Sequence, residues 1–256
     1  MIGVNHMAKS RKNRLDQTLV NRGLVESRAR AQALIMAGKV YSGDNCLTKA
    51  GMYISVDTQI GIRGKVHPWV SRGGLKLNYA LGHFNILPLG ATALDIGAST
   101  GGFTDVLLNN GAKRVYAVDV GYGQLDWKLR VDERVLVLER TNARYLNSNL
   151  IPDKLNIIVC DVSFISLQTV LPAALSLVSD SAFLVALIKP QFEVGRGQVG
   201  KGGIVREASL HEEVCSRINN WLSSIPNWKV LGITESPILG GHGNKEFLIG
   251  AEYIPL

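Results

Sequence analysis

The segment Asp95-Ile96-Gly97-Ala98-Ser99-Thr100-Gly101-Gly102-Phe103-Thr104 constrains this chain more than any other. It follows the run Ala91-Thr92-Ala93-Leu94 and offers a glycine-rich turn from which a helix can start near Gly101. In a Rossmann-like sheet such a turn brings backbone up to a nucleotide-bearing cofactor at the carboxyl ends of the strands. The dinucleotide fingerprint G-x-G-x-x-G needs glycine at positions 97, 99 and 102, but position 99 is Ser99. The glycine that admits a pyrophosphate is therefore missing. A cofactor with an adenosine and a carboxylate but no pyrophosphate suits the loop better. Taken alone, the same turn also suits a tight strand-to-helix connection that binds nothing.

The chain around this loop alternates between two kinds of pattern. Strands are predicted at Ala93–Ile96, Arg114–Asp119, Val135–Leu138, Leu155–Cys160, Ala182–Ile188, Lys229–Thr234 and Phe247–Tyr253. Helices are predicted near Gly102–Asn110, Gln168–Ser176 and Glu207–Leu222, with another suggested by Leu75, Tyr79 and Leu81 after a capped turn. This alternation predicts an α/β fold with a mostly parallel sheet covered on both faces.

Several polar residues fall at predicted strand ends. Asp119 stands 24 residues beyond Asp95, where an acid can accept hydrogen bonds from ribose hydroxyls or simply cap a helix. Asn142 suits an adenine contact or a plain turn. Asp161 closes Ile157-Ile158-Val159-Cys160, and Lys189 closes Phe183-Leu184-Val185-Ala186-Leu187-Ile188. Each has an ordinary reading, as a cap or a solvated side chain, yet in a parallel sheet both converge on the carboxyl edge. Lys76 precedes the first strand, and Glu246 opens the last after Gly240-Gly241-His242-Gly243-Asn244-Lys245.

Charge is distributed unevenly. The formal net charge is +7, and residues 1–70 hold 11 Lys+Arg against 4 Asp+Glu, so the whole excess lies in the first quarter. A solvated basic face is one reading. A polyanion partner is the other, nucleic acid before membrane, because no strongly apolar face accompanies the charge. With 256 residues, 46% of them hydrophobic, the chain can bury a sizeable core in one or two domains. Its longest apolar run, Ala182 to Ile188, is too short to span a bilayer. The basic N-terminus has no apolar h-region, so no secretory signal is expected. Cys46, Cys160 and Cys215 form no C-x-x-C pair, which predicts neither a disulfide framework nor a zinc site and favours a reducing cytoplasm.

The basic quarter predicts a small α+β module. One helix is expected from Arg14 to Arg22, stopped by Gly23. A second runs from Arg28 to Ala37, capped by Ser27, with Ala31, Leu34 and Ile35 on its apolar stripe. Short strands at Lys39–Tyr41 and Tyr53–Val56 follow. The stretch Arg14 to Gly43 resembles the S-four-type RNA-binding domain. That resemblance implies Arg14, Arg22, Arg28, Arg30 and Lys39 as phosphate contacts. The domain is expected over 8–60, a Gly- and basic-rich linker over 61–71 in which Trp69 packs to pin the two domains together or else offers a base-stacking platform, and the larger domain over 72–256.

Across the rest, Lys76, Asp161, Lys189 and Glu246 resemble, in order, the K-D-K-E tetrad of FtsJ-type RNA ribose methyltransferases. Together with SRGGLKL, DIGASTGGFT, CDVSFISL and LIKPQFEVG, the chain is similar to the TlyA family of ribosomal RNA 2′-O-methyltransferases from Arg14 onward. The resemblance implies a Rossmann-like S-adenosylmethionine-dependent methyltransferase sheet behind the RNA-binding domain. It implies S-adenosylmethionine as cofactor, held by Gly97, Ser99, Gly101, Phe103, Asp119, Asn142 and Asp161. It implies structured ribosomal RNA in ribosomal subunits as partner, with no membrane and no metal.

A ribose 2′-hydroxyl is a poor nucleophile, so catalysis must place it in line and help remove its proton. Lys189 is expected to be the base or positioning group, its ammonium form disfavoured by burial near Lys76, with Asp161 orienting it and Glu246 completing the network. Gly195 to Lys201 fits G-x-x-x-x-G-K, but Gly202 replaces the magnesium-holding Ser or Thr, so the segment is expected to be a mobile basic loop and not a nucleotide-hydrolysis site. His242 has no second metal ligand near it and is expected to be a loop residue. Two other readings stand beside catalysis: a non-catalytic ribosome-assembly factor, and a membrane-active haemolysin, for which no lytic segment is predicted.

Overall fold

The structure is a computed structural model that describes residues 12–25, 27–62 and 67–255. The side chains of Arg196 and His242 lie outside that description, as do the expected domain start at residue 8 and linker residues 63–66. The chain divides into two units, Met1–Val66 and His67–Leu256.

The first unit contains β1 (Lys12–Arg14), α1 (Leu15–Asn21), α2 (Arg28–Met36), β2 (Val40–Ser42), β3 (Asn45–Cys46), β4 (Tyr53–Ser55) and β5 (Gly61–Ile62). The Ser27 side chain caps α2 by accepting from the Arg30 N–H at 3.2 Å, as the sequence predicts. Leu15, Leu19, Ala31, Ile35, Val40, Leu47 and Ile54 form its core. Gly61 and Ile62, expected in the linker, instead pair with Tyr41 and Val40. A two-residue strand carries no readable alternation of its own.

The second unit begins with α3 (Gly73–His83), β6 (Thr92–Ile96), α4 (Gly102–Asn109), β7 (Arg114–Val118), α5 (Trp127–Arg130), β8 (Val135–Leu138) and β9 (Leu155–Cys160). It continues with α6 (Leu167–Val170), α7 (Pro172–Leu175), β10 (Val178–Ile188), α8 (Pro190–Glu193), α9 (Ala208–Ser223), β11 (Trp228–Glu235) and β12 (Phe247–Tyr253). The strand order is β11-β12-β10-β9-β6-β7-β8, parallel from β10 through β8, with β12 antiparallel to both its neighbours.

Both faces of β6, β7, β9, β10 and β12 are largely buried, alternate residues pointing to opposite layers, while the edge strands β8 and β11 stay partly exposed. Ala93, Val115, Ile157, Val159 and Val185 pack with residues of α3, α4 and α5. Leu94, Ile96, Ile158, Cys160 and Leu184 pack with α6, α7 and α9. The helix expected over Gln168–Ser176 is two short helices, because Pro172 has no N–H to bond back into the preceding turn. On α3 the buried face is Gly74, Lys76, Leu77, Ala80 and Leu81, while Tyr79 is exposed. Gly74 is required there, since a Cβ would lie 2.4 Å from Trp69 Cγ; Trp69 thus anchors packing within this unit. Among the described residues no helix is long and apolar enough to cross a membrane.

Candidate active site

The sheet reverses its order between β6 and β9, the place where open α/β sheets gather ligands at their carboxyl ends. Gly97 leaves β6 with φ +82°, and a Cβ there would lie 2.5 Å from the Asp161 carbonyl oxygen that leaves β9. Only glycine meets both demands. Ser99 follows with φ +48°; its N–H donates to Asp119 Oδ2 at 2.8 Å, while the Gly121 N–H donates to Oδ1 at 2.7 Å. Asp119 is thereby fixed at the end of β7, facing the loop.

Four charged side chains meet beside this crevice. Lys76, Lys189 and Glu246 retain only 7%, 8% and 3% exposure. Lys189 Nζ lies 2.5 Å from Asp161 Oδ1 and donates to Ser163 Oγ at 3.3 Å. Lys76 Nζ lies 2.5 Å from Glu246 Oε2 and 3.9 Å from Asp161 Oδ2. Buried charges persist only when each has a partner, and here two cations face two carboxylates. Gly240 closes over the group; a Cβ on it would fall 1.9 Å from Glu246 Oε1. The four residues predicted from sequence are therefore brought together from α3 and three strand ends.

Two cavities adjoin along Gly97, Ser99, Asp161 and Ser163. One, of about 330 Å³, is walled by Phe103, Lys76 and Lys189. The other, of about 700 Å³, is lined by Val118, Asp119, Asn142, Ala143 and Ile165. Asn142 contributes to this wall while its Oδ1 accepts from the Arg144 N–H at 3.1 Å, the turn contact expected of it. Gly101 differs from expectation. It turns into α4 at φ +94° with Leu129 and Leu125 packed against it, and it lines neither cavity.

A third cavity, of about 430 Å³, opens from the same lysines toward Phe164, Gln191, Phe192, Gly202 and Gly203. Sequence reading passed over the loop residues Ser163 and Phe164. Phe164 is 88% exposed with φ +65°, and its ring meets that of Phe192 at 4.7 Å. A non-glycine residue holds such a backbone only when its surroundings fix it. Glu193 does part of this: it accepts from Ser166 Oγ at 2.7 Å and from the Leu167 N–H at 2.8 Å, tying the loop after β9 to the turn after β10. Burial raises the Glu193 carboxyl above its usual range. The one signal available in the sequence was an aromatic residue four places past Cys160, the last residue of β9.

Asp95 is fully buried at the end of β6, accepting from the Thr104 N–H at 2.9 Å and Thr104 Oγ1 at 2.7 Å through Oδ2. Burial pushes its carboxyl up to about 7, with the nearby Asp161 charge adding to the rise while the Thr104 bonds oppose it. Among the described residues no group of three His, Cys, Asp or Glu side chains is arranged to hold a metal.

The first unit assigns different tasks to its basic residues. Asp16 is buried and accepts from Arg14 Nε at 3.0 Å, Arg28 at 3.0 Å and Gln32 at 3.1 Å. The Arg14 hydrogen bond, ahead of the others, holds its carboxyl well below the usual range. Arg22 donates to the Thr58 and Val56 carbonyls at 2.7 and 2.5 Å. Arg30 and Lys39 make no side-chain hydrogen bond or ion pair among the described residues.

The FtsJ-like methyltransferase family model matches residues 69–253, and the S4 domain model matches residues 13–60. The chain is 46% identical over 241 residues to the 16S/23S rRNA (cytidine-2′-O)-methyltransferase TlyA of Mycobacterium tuberculosis, covering 94% of this chain and 90% of that one. It is 43% identical to Hemolysin A of Brachyspira hyodysenteriae, covering 92% and 98%. A solved structure described as a hemolysin, from Streptococcus thermophilus, superposes with a TM-score of 0.75 at 45% identity, covering 96% of this chain and 90% of that one. The chain belongs to the TlyA family of proteins, in which an S4 domain precedes an FtsJ-like methyltransferase domain.

Proposed function

We propose that this protein transfers a methyl group from S-adenosylmethionine to the ribose 2′-hydroxyl of a cytidine in ribosomal RNA, within ribosomal subunits. The observation that carries this reading is the paired arrangement of Lys76, Glu246, Asp161 and Lys189 where the cofactor crevice meets a further cavity. The name of the Mycobacterium relative supplies the cytidine and the ribosomal RNA.

The residues fit the cofactor. Asp119 would hold the ribose hydroxyls, and Val118, Ala143, Ile165 and Asn142 would enclose the adenine. Gly97, Ser99, Phe103 and Asp161 would surround the methionine portion. S-adenosylmethionine, when bound, supplies an activated methyl group at a sulfonium. The chain's own residues do the rest. Lys189 Nζ orients the 2′-hydroxyl and takes its departing proton as it hands one of its own to Asp161 Oδ1, 2.5 Å away. Lys76 and Glu246 hold Asp161 in place. Phe164, an exposed ring beside the site, would stack on a base turned out of its helix.

The test is transfer of labelled methyl from S-adenosylmethionine to intact small and large ribosomal subunits. Label recovered as 2′-O-methylcytidine is the expected outcome. Cofactor binding without transfer to any subunit would favour the assembly-factor reading, and lysis of erythrocytes by pure protein would favour the haemolysin reading.

A further inference from the structure

Glu193 ends α8 with its side chain only 3% exposed, and the methyl-transfer chemistry gives it no task. Its Oε2 accepts from Ser166 Oγ at 2.7 Å and its Oε1 from the Leu167 N–H at 2.8 Å. Arg217 braces it from α9, donating to the Glu193 carbonyl at 2.6 Å with its guanidinium 3.8 Å from Oε2. Removing a carboxylate from water is costly, and two neutral donors with one distant cation offset that only in part. A buried clasp of this kind points to something whose position matters.

What it holds is the loop that leaves β9. That loop starts at Asp161, whose N–H donates to the Ile96 carbonyl at 2.9 Å, and ends at Ser166 and Leu167, where α6 begins. Between these ends lie Ser163, whose Oγ meets Lys189 Nζ at 3.3 Å, and the exposed Phe164 at φ +65°. Phe192, next to Glu193 on α8, meets the Phe164 ring. A bulky residue in the left-handed region relaxes out of it when its neighbours release it. Glu193 and Phe192 thus grip the loop from one short helix, and Phe164 borders both the cofactor cavity and the third cavity.

We propose that Glu193 is a positioning residue for the RNA substrate: by fixing Ser166 and Leu167 it presents the Phe164 ring to the target base, and it acts on methyl transfer through that ring. This rests on the methyl-transfer reading above. A platform already in place loses less ordering entropy on binding than one that must be assembled around the base, and a small misplacement of the base would move the 2′-hydroxyl out of line.

The experiment is a double-mutant cycle on the full chain, read as kcat/KM for methyl transfer to the ribosomal subunit that wild-type protein modifies. Phe164→Ala is expected to lose about 10- to 100-fold, the usual range for one stacked base. Glu193→Ala is expected to lose about tenfold alone, and less than about threefold when added to Phe164→Ala. Glu193→Met, which keeps the volume and lacks the acceptors, runs beside it so that a packing defect does not decide the result. Glu193→Gln should restore kcat/KM to within about threefold of wild type. Its amide oxygen must face the Leu167 N–H, which only donates, and its NH2 then meets Ser166 Oγ, whose hydroxyl can turn to accept. Affinity for S-adenosylmethionine, measured by calorimetry without RNA, should change less than about threefold in each Glu193 variant. Losses that add in the double variant overturn the proposal, as does Phe164→Ala with wild-type kcat/KM. Glu193→Gln as impaired as Glu193→Met overturns it too, and so does a parallel loss of cofactor affinity. Wild-type protein inactive on every subunit would instead overturn the methyl-transfer reading itself.

Discussion

Lys189 Nζ and Asp161 Oδ1 stand 2.5 Å apart at the ends of two adjacent parallel strands. Neither side chain can move far without leaving a charge unpaired in a poorly solvated site. Lys189→Ala is expected to lower kcat by about 10²- to 10⁴-fold, the usual contribution of a positioned acid–base group. Its affinity for S-adenosylmethionine should change little, and isothermal calorimetry beside single-turnover kinetics checks both. Asp161→Asn should behave differently: it removes the carboxylate from Lys189 and also alters the cofactor wall, so kcat and cofactor affinity fall together.

Gly97→Ala tests the crevice. The new Cβ would press on the Asp161 carbonyl at 2.5 Å, from a backbone at φ +82° that alanine resists. Loss of S-adenosylmethionine binding with a lowered Tm is expected. Gly123→Ala is the control, because its positive φ brings the same backbone strain with nothing within 4 Å. A variant of Gly97 that binds cofactor normally would show that the two strand ends are not held in this register.

Basic residues of the first unit should separate into two classes. Arg30→Glu and Lys39→Glu are expected to weaken binding to ribosomal subunits and reduce its salt dependence, by about one unit of slope per lost phosphate contact. Arg28→Ala should instead weaken the packing of α1 against α2, because it removes one of the partners of buried Asp16. Amide hydrogen exchange of the full chain reads that effect, while filter binding at several salt concentrations reads the other.

Asp95 predicts a pH dependence of stability. Its folded-state carboxyl is raised to about 7 by burial, while an unfolded aspartate titrates near about 4. Below the unfolded value both states hold the proton and the contribution to stability is fully present. As pH rises through about 7 the folded state must ionise a buried group, and that contribution is lost. Wild-type Tm without cofactor should therefore fall from about pH 5 to about pH 8 more steeply than that of Asp95→Asn, as read by calorimetry across the interval. Equal slopes in the two proteins would remove Asp95 as the cause.

Local pattern made much of this molecule legible. The apolar runs of the central strands are nearly continuous because both of their faces are covered, and the ends of β6 to β12 were readable to within a few residues. Ser27 announced α2, and Pro172 marked the break between α6 and α7 that periodicity alone had bridged. The short pieces β1, β3 and β5 gave no such signal, since two or three residues cannot show a period. Gly101 was assigned to the cofactor from its motif, yet the structure packs it on Leu129.

By itself the sequence determined the class of fold, the uneven charge, and which residue types stand at strand ends, because these follow from hydrophobic period, turn chemistry and composition. Spacing left open which of those polar residues meet; the family resemblance named the four, and tertiary structure supplied their contacts. Lys76 and Glu246 are 170 positions apart and touch only because α3 and the start of β12 converge at one edge of the sheet. It also decided that Arg14 and Arg28 both direct their guanidinium groups at Asp16. Pairing and burial are properties of distance in space, and sequence spacing does not encode them until the chain has closed on itself.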